Sequence, residues 1–441
     1  MTGRLDFMPD IPPEEEAAWL PSARLAPRQW LRENLFLNWW NGVLTVVFGV
    51  LLLYLGFRVM RFVFVTAEWE IVRRNLTNFM VGRFPREDLW RVWCSTFALL
   101  LFGTMAAGAW HATGAERAAE AGLDHSTPSW SDRLKRFWPV IMLVIVLLTL
   151  TRSIGPLLVV IGAVAIAVAG RLLGPHLPAF LRCRAWLVLL IGVDLWLELL
   201  GAGVVHWLLS LVGLGSWGVG WDQWGGLHLT LFVTVTGIVL ALPIGLLAAL
   251  ARRSTLPALR TLSIGYIEFI RGVPLITLLL MGQFMLGFFF PKSIFGIEIS
   301  PPSDVTRALI AITLFTGAYV AEIVRGGLQA VDRGQAEAAL AVGLSTAKVM
   351  RFIVLPQALR AVIPAMVGQF ISLFKDTSLL TVIGVLDLLN VSEVANAQGA
   401  FLGRGLASVT LPFAGLIYWV GSYTMSRESR RLEHKLGVGE R

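Results

Sequence analysis

Lys375, Asp376, Thr377 and Ser378 stand side by side well inside an apolar stretch of this 441-residue chain. Ionisable groups at such depth face a cavity or a partner helix, because lipid cannot solvate them. A zwitterion needs both signs of charge and nearby hydroxyl donors, so these four are substrate-path candidates. A helix-to-helix tie through Lys375 and Asp376 is the structural alternative. Glu268 with Arg271, and Glu322 with Arg325, each fall three residues apart on one helix face, where each pair can offset charge near a membrane interface. Helix-end anchoring and interhelical ties account for both pairs without a ligand. Asp194 and Glu198, four apart in an apolar run, read as packing residues. Motifs for bond-making chemistry are missing: there is no G-x-x-x-x-G-K-[ST], no H-E-x-x-H and no G-x-S-x-G, so the chain is not expected to be an enzyme. Two cysteines and six histidines without ligand spacing support neither a metal centre nor a disulfide framework.

The elements that must position these residues are set by composition. With 56% hydrophobic and 15% charged residues, the chain carries more apolar surface than a soluble core of its length hides, so it is expected to be polytopic in a membrane. The formal charge of +8 resides in short connectors rather than on one basic face, which argues for helix orientation and against nucleic acid. Residues 1–38 read as a cytoplasmic tail without a signal peptide. Apolar runs at about 42–64, 91–108, 137–151, 155–173 and 185–213 form an N-terminal membrane extension over 39–225. Five more, at about 227–251, 262–290, 305–327, 361–388 and 405–425, form a core over 226–441. The expected fold is all-α with about ten transmembrane helices, of which the last five form the core. Arginines after the first, third and last core runs place those ends in the cytoplasm, and both termini with them. One connector disagrees with alternation: residues 66–88 hold Arg73, Arg74, Arg83 and Arg86 yet fall outside.

Between the third and fourth core runs, residues 335–356 read QAEAALAVGLSTAKVMRFIVLP. Glu337, Ala338 and Ala339 favour helix, Gly343 allows a turn, Ser345 can cap a second short helix, and Leu355–Pro356 lead into the next run. The expectation is a helix–turn–helix handle outside the lipid, with Gln335, Glu337, Ala338, Ala339, Gly343, Leu355 and Pro356 as its defining residues.

That spacing resembles the EAA loop of ABC importer permeases. Tyr266–Leu275 (YIEFIRGVPL), Ala318–Leu344 and Lys375–Leu380 (KDTSLL) are similar to the polar amino-acid branch of that family. Chain length and the added N-terminal helices resemble the M or C subunits of general L-amino-acid and glutamate/glutamine/aspartate/asparagine systems. The resemblance implies a type I importer core in a bacterial inner membrane, moving polar L-amino acids by alternating access. It implies a periplasmic amino-acid-binding protein, a second homologous permease, expected as a heterodimer, and an ATP-binding cassette ATPase dimer that carries ATP and Mg while this chain carries no cofactor. A stand-alone secondary transporter or channel is the alternative; it would show inverted repeats, and none is visible.

Overall fold

A computed structural model describes residues 27–120, 137–151, 154–200, 219–220, 223–289, 293–294, 297–298 and 302–436. Most of the tryptophan-bearing connector 213–226 and part of the basic connector 111–136 lie outside the described residues. The chain divides into two units, Met1–Glu68 and Trp69–Arg441. In the first, α1 (Pro27–Leu35) precedes α2 (Trp39–Arg61), which continues through a π-turn at Phe62–Thr66. The Thr45 hydroxyl donates to the Leu35 carbonyl at 2.8 Å and ties the two helices.

The second unit holds α3 (Glu70–Val81), α4 (Leu89–Glu120), α5 (Trp138–Thr151), α6 (Gly155–Leu173), α7 (Ala179–Cys183) and α8 (Ala185–Leu200). Then come α9 (Gly226–Ala251), α10 (Pro257–Gly272), α11 (Leu275–Phe289), a two-residue antiparallel hairpin of β1 (Ser293–Ile294) with β2 (Ile297–Glu298), and α12 (Asp304–Ala330). The last helices are α13 (Arg333–Ala341), α14 (Thr346–Val349), α15 (Leu355–Asp376), α16 (Leu388–Asn396) and α17 (Ala407–Leu436). α9 and α12 pack along one another, and α10, α11 and α15 lie against α12. Val92 and Trp196, from α4 and α8, share one apolar cluster with Leu229, Phe232 and Ile312 of the core helices.

The expectation of about ten transmembrane helices is overturned. The described residues hold six helices long and apolar enough to cross a membrane, or seven if the bent pair α10–α11 is one span. Helix length is the physical reason. At 1.5 Å per residue a span needs roughly 20 residues, and α5 has 14, while the described part of α8 has 16. The run 262–290 is not one straight helix. Pro274 lacks an amide hydrogen and drives Val273 to extended backbone (φ −103°, ψ 134°), and the chain turns by 106° between α10 and α11. α17 is long but mixes Ser, Thr, Tyr and Pro412 into its first half and charges into its last third.

Connectivity gives the bundle two ends. α12 leads into α13 and α15 leads away from it, so the handle marks one end, shared with the C-terminus of α9 at Arg252. At the opposite end Gly226 of α9 meets Asp387, its amide donating to the Leu386 carbonyl at 2.8 Å.

Candidate functional site

At the handle, Asp332 caps α13 by accepting the Gly334 amide at 2.8 Å. The chain then reverses at Gly343, whose φ of +89° is a conformation that residues with a Cβ rarely adopt. Ser345 takes the N-cap position of α14, but its side chain accepts no capping bond. A π-turn at Met350–Val354 carries the chain into α15, with Pro356 in its first turn, where a missing amide costs nothing. α13 has two sides. Ala336 and Ala339 pack toward a buried cluster of Leu328, Val349, Val354 and Ala358, whereas Gln335, Glu337 and Ala338 are exposed. Leu340 and Val342 are also bare, at 48% and 84% exposure.

Beside the handle the charged pairs form one network. Glu322 of α12 meets Arg325 Nε at 2.8 Å, as the spacing suggested. It also meets Arg252 of α9 at 3.4 Å and Arg271 of α10 at 3.8 Å. Glu268 does not pair with Arg271; it turns to Arg252 at 3.1 Å, while Arg271 lies 5.3 Å over the Tyr319 ring. Three helices are thus tied at one level.

At the opposite end, Lys375 is exposed, Asp376 and Ser378 are half-buried, and Thr377 is fully buried. The Thr377 hydroxyl donates to the Phe374 carbonyl at 2.6 Å and lies 3.5 Å from the Tyr418 hydroxyl. Among the described residues, neither Lys375 nor Asp376 has a hydrogen-bond or ion-pair partner on another helix. Thr377 connects to a residue that sequence reasoning missed. Asp387 is fully buried and caps α16, accepting the Leu389 and Asn390 amides, each at 3.0 Å. Its carboxylate also accepts from Thr381 at 2.7 Å and Tyr418 at 3.2 Å, and Thr230 of α9 accepts the neighbouring Leu388 amide at 3.1 Å. Four donors satisfy a charge that burial would otherwise penalise by several kcal/mol. An acidic residue immediately before an apolar helical stretch was the available signal.

The same end is covered by α3, which buries Ile71, Val72, Asn75, Phe79 and Val81 against α9, α16 and α17. Phe79 meets Phe413 edge-on at 5.1 Å. A Cβ on Gly226 would fall 2.4 Å from the Phe79 carbonyl oxygen, so only glycine lets the two backbones touch. On the outer side of α3, hydrogen bonds from Arg73 and then Arg74 hold the Glu70 carboxyl below its ordinary pKa.

A family model described as the binding-protein-dependent transport system inner membrane component matches residues 241–422. The inner membrane amino-acid ABC transporter permease protein YhdY of Escherichia coli strain K12 is 33% identical over 425 residues, covering 93% of each chain. This chain belongs to the polar amino-acid ABC importer permeases. The permease is also 34% identical over 376 residues to the glutamate/glutamine/aspartate/asparagine transport system permease protein BztC of Rhodobacter capsulatus, covering 84% of this chain and 79% of that one. It is 38% identical over 211 residues to the probable glutamine ABC transporter permease protein GlnP of Bacillus subtilis, a match spanning 48% of this chain and 91% of that shorter one. The permease is thus a multi-pass protein of the bacterial inner membrane and the transmembrane subunit of an ABC amino-acid importer. A partner ATPase drives its alternating access, and the similarity is to permease subunits rather than to ATPase domains. Membership brings with it an importer complex containing an ATPase and a binding protein. The stand-alone transporter alternative is set aside.

Proposed function

We propose that residues 335–356 are the segment through which the ATPase dimer, with its ATP and Mg, moves this permease, and that the handle end is cytoplasmic. One observation carries the reading: α13 packs Ala336 and Ala339 on the bundle while Glu337, Leu340 and Val342 stand free. Bare apolar side chains beside a carboxylate on a short, well-anchored helix are suited to a partner's groove. A push on α13 passes directly to α12 and, through α14 and the π-turn, to α15, and the ion-pair network at Glu322 makes α9 and α10 follow. The opposite end, with Asp387 and the α3 cover, then faces the periplasm and the amino-acid-binding protein.

Lys375, Asp376 and Ser378 line the substrate path in this reading, with the buried Thr377 bracing the turn that carries them. That Lys375 and Asp376 have no interhelical partner among the described residues favours a path or a second permease over an internal tie. The substrates are polar L-amino acids, in keeping with the glutamate, glutamine, aspartate and asparagine carried by the BztC system, and the second core is a homologous but different chain. Co-purification on a tagged permease tests this. The expected set is an ATPase, a second permease of different mass and a periplasmic binding protein. Recovery of this chain paired only with itself would overturn the heterodimer, and recovery without an ATPase would overturn the coupling assignment.

A further inference from the structure

The periplasmic end of a core is where a binding protein must land, yet here the connector after α16 is not bare. α3, from the N-terminal extension, lies over it. Asn75 exchanges two amide hydrogen bonds with Gln398, and the Arg74 guanidinium sits 5.9 Å over the Phe401 ring. Whatever lands on this side meets α3 and the turn after it first.

That surface has a definite chemistry. Glu70 is shared between Arg73 and Arg74, and among the described residues Arg86 is held by the neutral Asn78 side chain alone. Arg83 is exposed and has no hydrogen-bond or ion-pair partner among the described residues. Each guanidinium carries five donors, so several remain free. Arg83 stands on the rim of a notch of about 130 Å³ between α3 and α16, lined also by Asn75, Asn78, Val391 and Gln398. Small-molecule sites span about 300–1,000 Å³. This one is too small to enclose a substrate and suits one protruding side chain. Arginines are also selected against in short connectors on the outer side of a bacterial membrane, so keeping four of them calls for a use.

We propose that α3 and the following turn form a docking plate for the periplasmic binding protein, with the notch at Arg83 receiving an acidic side chain of that protein. The N-terminal extension thereby supplies part of the receptor surface of this half of the importer. The inference rests on the membrane sidedness and the binding-protein dependence given above. Rim guanidinium groups of this kind act mainly on the rate of encounter and give it a salt dependence.

The test uses the complete complex in lipid nanodiscs and the binding protein recovered with it, purified and loaded with amino acid. ATP hydrolysis is titrated against binding-protein concentration at low and physiological salt. For Arg83→Glu/Arg86→Glu the half-maximal concentration is expected to rise at least about fivefold, with a flatter salt dependence and unchanged hydrolysis in the absence of binding protein. Arg83→Gln/Arg86→Gln, which leaves no reversed charge, is expected to move the same way by less. Half-maximal concentrations equal to wild type in both variants would overturn the docking plate while leaving the importer reading intact. Wild-type hydrolysis indifferent to the binding protein would instead overturn the reading on which the plate rests. If the variants shift equally when the nanodisc lipid is changed from anionic to neutral but not with the binding protein, the arginines serve the membrane surface and the docking plate is wrong.

Discussion

Asn75 and Gln398 face each other as a closed amide pair, Asn75 Nδ2 donating to Gln398 Oε1 at 3.2 Å and Gln398 Nε2 donating to Asn75 Oδ1 at 2.6 Å. The two residues are 323 positions apart, and Asn75 is 2% exposed. The pair bolts the N-terminal extension to the far end of the transport core. Replacing Gln398 by Leu removes two bonds from Asn75 but leaves its amide held by the Ile71 carbonyl and the Asn78 side chain, so the change is expected to cost about 0.5–1.5 kcal/mol. Asn75→Leu removes all of these and should cost more, and the double replacement should cost less than the sum, because the bonds between the two amides are lost only once. Thermal unfolding of the detergent-solubilised permease, read as a double-mutant cycle, decides; additive losses would mean the two amides are not coupled.

At the handle, Glu337→Lys is expected to leave membrane insertion intact while abolishing uptake and releasing the ATPase on detergent extraction. Gly343→Asp should do the same by a different route. A Cβ there meets nothing within 4 Å, so the loss comes from the positive φ alone, about 1–2 kcal/mol for a residue with a side chain. Asp tolerates that region better than most residues, so Gly343→Val should be worse than Gly343→Asp. Uptake that survives Glu337→Lys would remove the handle from the transmission path.

Glu322 holds three arginines, each with only about a quarter to a third of its side chain exposed, at 24%, 34% and 33%. Glu322→Gln should therefore cost about 2 kcal/mol or more, whereas Glu268→Gln, 58% exposed and in ion-pair contact with Arg252, should cost under about 1 kcal/mol. Urea or thermal midpoints of the two variants settle the order. Equal midpoints would show that the network is a set of separate surface pairs.

The handle was legible in the sequence because its signals are local: a helix former run, one glycine and a proline at fixed spacing. The Glu322–Arg325 pair was legible for the same reason, since three residues apart is one helix face. Arg252 was not, because it reaches Glu268 and Glu322 only once α9, α10 and α12 have packed. The helix count failed at another level. Hydropathy counts apolar residues, whereas crossing a membrane needs continuous length, and Pro274 and the shortness of α5 are what separate the two. α3 was hidden by its arginines, which drew attention to sidedness while Ile71, Val72, Phe79 and Val81 carried the packing. Asp387 was hidden because a single carboxylate in an apolar run gives no hint of the four donors that Thr381, Tyr418 and two amides bring to it.

Lys375 and Asp376 allow a test that separates a substrate path from a structural tie. Lys375→Met and Asp376→Asn keep most of the side-chain volume and remove one charge each. A side chain that reads substrate charge changes the ranking of substrates, because discrimination is a difference of affinities. If the pair lines the path, Lys375→Met should reduce uptake of aspartate and glutamate more than that of glutamine and asparagine. Asp376→Asn should instead penalise substrates through their shared ammonium group and leave the ranking nearly flat. A tie to a second permease predicts something else: equal losses for every substrate in both variants, with a lower unfolding temperature of the assembled complex and none for the isolated chain, since among the described residues neither has an interhelical partner. Initial rates of uptake for the four amino acids in proteoliposomes, set beside melting curves of chain and complex, distinguish the two. Unchanged substrate ranking in Lys375→Met would remove Lys375 from the path.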